Sequence, residues 1–396
     1  MEAPKEYIRI GFDLGDAYVK ESKLKDIKRI DAVIFDCDGV LIDVRETYDK
    51  AISKTVKWIF EALTGHLIPE ELVSDEIIFL FRRSGGFNDD CDIAYGILMF
   101  LLCEMPIKFL RELTEMVGLL RHEKGVAERI KTIKEKTYGE NINFDVKILS
   151  ENLKKFTLML DETGVNSVDR AIFSSKNTPK EIYFLLKDFL YGSKRVGESV
   201  ITTVFEEIFC GAELFRKMYG IEPRFFYGLG TINNSKIIIN PETFSRLSTL
   251  ISGARFGIVS GSRFAPAKYV LGFLLDLFNQ KALVFLDDIE KIEGEYLNRG
   301  LLKVGLRKPN PYPLFKSAWG LEPFRMALYV GDSMEDALTV DRANKLDPRF
   351  IFAGVYMYTG ARDKALGEFL KFGCDIISPS ANEIPFIIEA VRRMRV

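Results

Sequence analysis

The sequence predicts an α/β fold: a doubly wound parallel sheet interrupted, after its first acid-tipped strand, by a large and mainly α-helical insertion. Three observations carry this. Short β-branched, apolar runs alternate with helical stretches from 256 onward, the order that builds parallel sheets. One more such run, 32–35, stands near the start of the chain. Between 44 and about 255 there is almost no strand signal apart from KIIIN at 236–240. The core is therefore expected to comprise 1–43 and 256–396, with 44–255 as the insertion.

In order along the chain, residues 1–29 contain GFDLGDAYVK. That string is similar to the first phosphate loop of actin-like ATPases and sugar kinases. No matching glycine-rich adenosine loop follows, so an N-terminal strand or hairpin on the core is the expectation.

Next comes the stretch around which the rest is arranged, IDAVIFDCDGVLID at 30–43. An apolar run ends abruptly in Asp36 and Asp38, then Gly39. Acids at the end of a parallel strand sit at the carboxyl edge of the sheet, where open α/β sheets bind ligands. Two carboxylates one residue apart suit two-step chemistry, one as nucleophile and the other as acid and base. Gly39 lets the backbone turn close to a ligand.

The insertion reads as helices. Ala51, Ile52, Val56, Ile59, Phe60 and Leu63 share one helical face, and Gly65 is a stop. Pro69 opens a second helix that closes at Gly85-Gly86. FNDDCD and the apolar stretch 93–104 follow, then lysine-rich patterns over 107–160 such as RIKTIKEK, read as solvated helical faces. Thr178 and Glu181 form a capping-box pair with Pro179 in the first turn. A helical stretch over 196–219 is interrupted near Gly211.

From 256 the alternation resumes. Strands are expected at 257–260, 282–286, 326–330, 350–356 and 374–378, with helices at 265–279, 311–319 and 334–345. Polar groups stand beyond two of these strands: Ser260-Gly261-Ser262, and Gly331-Asp332-Ser333 with Asp336 one helical turn later. Lys308 opens a helix in RKPNPYP. Ser260 alone reads as a turn residue, Lys308 as a surface lysine and Asp332 as a helix cap. Together they are the parts phosphoryl transfer requires: a nucleophile, ligands for a hard divalent cation, and donors around the transferred group.

Composition excludes several classes. Lys+Arg number 55 against 57 Asp+Glu, a net charge of −2, so no basic field argues for nucleic acid. Five scattered cysteines and two histidines, His66 and His122, form no zinc pattern. No signal core opens the chain, and the apolar run 93–103 is shorter than the roughly 20 residues a bilayer needs. A reduced cytoplasmic protein without a membrane partner is expected. Gln280 is the lone glutamine beside abundant Lys and Glu, a bias of heat-adapted proteins. Oligomeric state is not legible.

The order FDCDGVLI, IVSGS, RKPNP and YVGDSMEDA resembles the four motifs of the haloacid dehalogenase superfamily. The match covers 30–43 and 256–380, under half the chain. It implies a Rossmann-like core with a type I helical cap, here far longer than usual, and Mg²⁺ as cofactor. It further implies Asp36 as nucleophile, Asp38 as acid and base, Ser260 and the Gly261 N–H as phosphate donors near Gly39, and Lys308 as charge compensator. The implied metal ligands are Asp36, the Asp38 carbonyl and Asp332, with Asp336 direct or through water. Arg307 stands where many members have glycine. Asp38 favours a phosphatase or phosphomutase, since dehalogenase members lack that acid. The string DGVLIDVRETYDKAI with GGFND resembles phosphoglycolate-phosphatase-like proteins, which makes Arg45, Gly86, Phe87, Asn88 and Arg263 candidates for substrate specificity. The leading expectation is a Mg²⁺-dependent phosphatase for a small phosphorylated metabolite. A phosphomutase, a receiver-like phosphoacceptor and an inert binding protein are the alternatives.

Overall fold

The computed structural model describes residues 5–394 except 88, 121–124, 137–144, 252–254 and 302–304. The chain forms two compact units, Met1–Val44 with Ser235–Val396, and Arg45–Asn234.

The first unit is built on strands β1 (Tyr7–Phe12), β2 (Gly15–Lys20), β3 (Ile30–Phe35), β4 (Ile42–Asp43), β5 (Lys236–Ile237), β6 (Phe256–Val259), β7 (Leu283–Val284), β8 (Met326–Gly331), β9 (Phe350–Val355) and β10 (Ile376–Ser378). Eight of them form one sheet in the order β1-β2-β10-β9-β8-β3-β6-β7, and β4 pairs with β5. From β10 to β7 the strands run parallel. β1 and β2 add the expected N-terminal hairpin, antiparallel to the edge of β10.

β3 is central, with neighbours on both sides, and all of it but Asp31 is buried. That is why its sequence is continuously apolar rather than alternating. Phe35 anchors the layer beneath the sheet, meeting Phe244, Phe256 and Phe278 with ring centroids 6.0 to 6.4 Å apart. Phe244 belongs to the helix Pro241–Leu250, which the sequence reading had assigned to the insertion. Ile239, Phe244, Leu247 and Ile251 all lie in the core of the sheet unit, so the chain returns at 235 rather than at 256.

Other departures have local causes. The expected strand 282–286 stops at Val284, because Asp288 accepts the Phe285 N–H at 3.0 Å and starts the helix Leu286–Asn298. That helix buries only Ile289, so it shows no apolar stripe in the sequence. The expected helix 265–279 holds from Phe264 to Leu271 and then tightens into a 3₁₀ turn.

Among the described residues, the regular elements of the second unit are all helices. Tyr48–Thr64, Asp90–Cys103 and Val200–Tyr219 pack on one another. Asp90–Cys103 is apolar on every side and nearly all buried, as a helix at the centre of a bundle must be. Val200–Tyr219 is broken at Gly211, φ 73°, as its sequence indicated. The helix expected from Pro69 splits into a short turn and Asp75–Arg83, whose start is capped by Ser74. At Lys180–Tyr191 the Thr178–Glu181 box is not formed: the helix begins after Pro179 with no side-chain hydrogen bond.

Among the described residues no helix is long and apolar enough to cross a membrane. All five cysteines are free and buried.

Candidate active site

Sheet order is what assembles the site. Within the eight-stranded sheet the strand after β3 is β6, on one side, while β8 lies on the other, so the chain reverses direction of travel between β3 and β8. Ligands bind beyond the carboxyl ends of strands at such a switch point. Phe35 is level with both Ile258 and Val330. The next residue, Asp36, donates its N–H to the Val330 carbonyl at 2.8 Å. Asp36, Ser260 and Asp332 therefore all emerge just past one sheet edge.

Asp36 is buried. Its Oδ1 accepts the Cys37 N–H at 2.7 Å, and its Oδ2 accepts Lys308 Nζ at 3.0 Å. Lys308 also donates to Asp336 Oδ1 at 2.7 Å, so one ammonium bridges two carboxylates. Burial pushes the Asp36 carboxyl well above its ordinary range; Lys308 opposes this, while Asp336, Asp332 and Asp38 add to it. Burial alone would lower Lys308, but Asp336 and Asp36 outweigh it and hold the ammonium above its ordinary value.

Carboxylate oxygens of Asp36, Asp332 and Asp336 come within 4.8 Å of one another. Four acids converge with Lys308 as their buried cation, leaving an excess of negative charge that a divalent ion would satisfy. The donors are all hard oxygens, the preference of Mg²⁺. Asp336 has other work, however. Its Oδ1 accepts Lys308 and the Tyr329 hydroxyl (2.8 Å), and its Oδ2 accepts the Ser333 N–H (3.2 Å) and hydroxyl (2.7 Å). Two donors on each oxygen fill a carboxylate's lone pairs. A direct metal bond from Asp336 would displace one of them; in the structure as it stands Asp336 seats Lys308.

Two participants escaped the sequence reading. The Ser262 hydroxyl donates to the Asp38 carboxylate, and its N–H donates to Ser260 Oγ at 3.0 Å. The turn Ser260–Gly261–Ser262 thus holds Asp38 through its last serine. The motif SGS did show two hydroxyls, without saying which would reach the acid. Tyr329 sits inside β8 as an apparently ordinary core aromatic, and only its hydroxyl bond to Asp336 reveals a part in the site.

Gly39 has a left-handed φ of 71°, and a Cβ there would stand 2.0 Å from Asp332 Oδ2. The missing side chain makes room for Asp332. Gly39→Ala should displace Asp332 and lower activity by about 100-fold, the scale of one misplaced catalytic group. Wild-type kcat/KM in the variant would remove Asp332 from the site.

Of the specificity candidates, Arg263 is bound to Asp287 at 2.9 Å and to Glu290 at 3.0 Å, and Arg307 shares Glu290 at 2.9 Å. Both guanidiniums are engaged within the sheet unit. Phe87 is a core residue of the helical unit, packed edge-on to Phe81 at 5.0 Å, and Gly86 lies against the Gly164 backbone. Packing is the contact the structure gives both residues. Arg45 is half-buried at the start of the helical unit, and Asn88 lies outside the described residues.

No protein-family model matches the sequence, and no curated protein does. Among solved structures, a crystal structure from the Northeast Structural Genomics Consortium is similar over 91% of this chain and 99% of its own, with 16% identity and a TM-score of 0.56. That likeness speaks for the fold. Phosphatase Tt82 from Thermococcus thioreducens aligns over 86% of this chain and 98% of its own, at 21% identity, but its TM-score of 0.40 is too low to carry an argument.

Proposed function

We propose that the protein is a Mg²⁺-dependent phosphatase of the haloacid dehalogenase type, acting on a small phosphorylated metabolite. The observation that supports this most is the buried Asp36–Lys308–Asp336 bridge beside Asp38 and Asp332, at the carboxyl ends of adjacent parallel strands. Asp36, Asp332 and the Asp38 carbonyl would hold the ion, which when bound neutralises charge on the phosphoryl oxygens and on Asp36.

In the first step an Asp36 oxygen attacks phosphorus. The bond from phosphorus to the substrate oxygen breaks, and that oxygen takes the proton carried by Asp38. In the second step water attacks the phosphoaspartate and gives its proton back to Asp38. Inorganic phosphate leaves and Asp36 is restored. Ser262 keeps the Asp38 carboxyl aimed, while Ser260 and the exposed Gly261 N–H offer donors to the transferred group. Lys308 offsets the charge that builds on the phosphoryl oxygens, an effect worth about 10²–10³ in rate for a single donor.

Purified protein with Mg²⁺ should release inorganic phosphate from an aryl phosphate, stop on chelation, and recover when Mg²⁺ is returned. Metal-independent turnover would remove Asp332 from its assigned role. Formation of an isomeric phosphate ester in place of free phosphate would identify a mutase instead.

A further inference from the structure

The exposed lysines of RIKTIKEK lie beside aromatic side chains. Lys131 and Lys134 stand one turn apart on the helix Val126–Lys136 and border a cavity of ≈ 400 Å³ inside the helical unit. Trp58 lines it from the helix Tyr48–Thr64, and Arg224, Phe225 and Tyr227 line it from the segment after Val200–Tyr219. Cavities of about 300–1,000 Å³ are the size range of small-molecule sites.

The segment bearing Arg224 is built, not loose. Glu207 is fully buried, and its carboxylate accepts the N–H groups of Arg224 (2.9 Å), Phe225 (2.6 Å) and Phe226 (2.9 Å). A few residues on, Leu229 bridges to Gly211 at the helix break. These two anchors fix a stretch whose Arg224 and Tyr227 side chains are exposed. A rigid hold on exposed side chains is what a binding loop needs.

Charge and shape narrow the ligand. Three cations line the cavity against one acid, Glu128. Arg224 reaches Glu128 at 3.3 Å, and Lys131 lies 4.0 Å from Glu135, all of them well exposed. Glu61 is an acidic neighbour of Lys134. Exposed pairs of this kind are weak and give way to a better anion. Trp58 and Phe225 stand with ring centroids 5.1 Å apart, tilted by 60°, and Tyr227 is 69% exposed beside them. Cations alone would suit any anion and rings alone any flat apolar group. One cavity holding both suits a planar base joined to a polyanion. We propose that this cavity binds a nucleotide, its base against Trp58, Phe225 and Tyr227 and its phosphates against Lys131, Lys134 and Arg224.

The chain has two tryptophans, Trp58 and the exposed Trp319 of the sheet unit. In full-length Trp319→Phe protein, Trp58 fluorescence therefore reports on the cavity alone. Titration with ATP in the presence of chelator should quench it saturably. Adenosine and tripolyphosphate should each bind about tenfold more weakly or worse. Lys134→Glu and Arg224→Glu, both at exposed positions, should weaken ATP about tenfold or more with unchanged thermal melts. Should either melt abnormally, Lys131→Gln supplies the same comparison. Absence of saturable quenching would overturn the proposal. So would tripolyphosphate binding as tightly as ATP, or charge variants that bind like the parent. The chelated protein performs no metal-dependent turnover, so this outcome is independent of the reaction assigned to Asp36.

Discussion

Replacing Asp36 with asparagine is expected to abolish turnover, a loss of about 10⁴-fold or more, while leaving the protein folded. The two halves of this result have one origin. An amide cannot attack phosphorus as the carboxylate does, so the chemical step goes. Asparagine fills the same space, and its single acceptor oxygen can serve the Cys37 N–H or the Lys308 ammonium, the amide NH2 then facing the other. It also removes one negative charge from a buried site where Asp332, Asp336 and Asp38 already push the Asp36 carboxyl toward its protonated form. The proposed nucleophile thus sits where its surroundings favour a neutral group, a common feature of active sites. Kinetics on an aryl phosphate alongside a thermal melt would check both halves. Retained turnover in a folded variant would show that Asp36 is not the nucleophile.

The position of the acids proposed as catalytic was legible because parallel strands announce their ends. In β3 and β8 an unbroken apolar run gives way to an acid in a single step, and the acid marks the sheet edge. Lys308 stood out only as one of a set of polar groups, since it lies on no strand and its partners are 272 and 28 residues away. Tyr329 was hidden for the opposite reason: a tyrosine inside an apolar strand looks like core, and burial accounts for it until its hydroxyl is seen on Asp336.

The boundary error at 235–255 is of the same kind. KIIIN carries a strand signal, but its pairing of Ile237 with Ile42 spans the whole insertion, and no local pattern encodes such a partner. The lysines of RIKTIKEK do form an exposed helical face, as their spacing indicated, but spacing does not show the aromatic residues that lie beside it. Gly86 and Phe87 were given a functional reading on resemblance, while the ordinary demands of packing explain both.

Lys308→Met should cost about 3–5 kcal/mol of stability, the range for removing one partner of a buried ion pair. Lys308 is 8% exposed and its ammonium serves Asp36, Asp336 and, at 3.4 Å, the Tyr329 hydroxyl. Methionine fills the volume of the stem but leaves two buried carboxylates facing each other. Adding Asp336→Asn to Lys308→Met should therefore restore part of the loss, whereas Asp336→Asn alone should destabilise the parent. That reversal of sign is the mark of direct coupling in a double-mutant cycle. Lys308 is held above the ordinary lysine value of 10.5, so its contribution is fully present below that pH and fades as pH rises through the higher folded value. The melting difference between parent and Lys308→Met should thus persist through neutral pH and narrow only in strong alkali. Additive effects of the two substitutions at pH 7 would mean that the bridge does not hold these acids together, and the proposed charge balance around the phosphoryl group would fall with it.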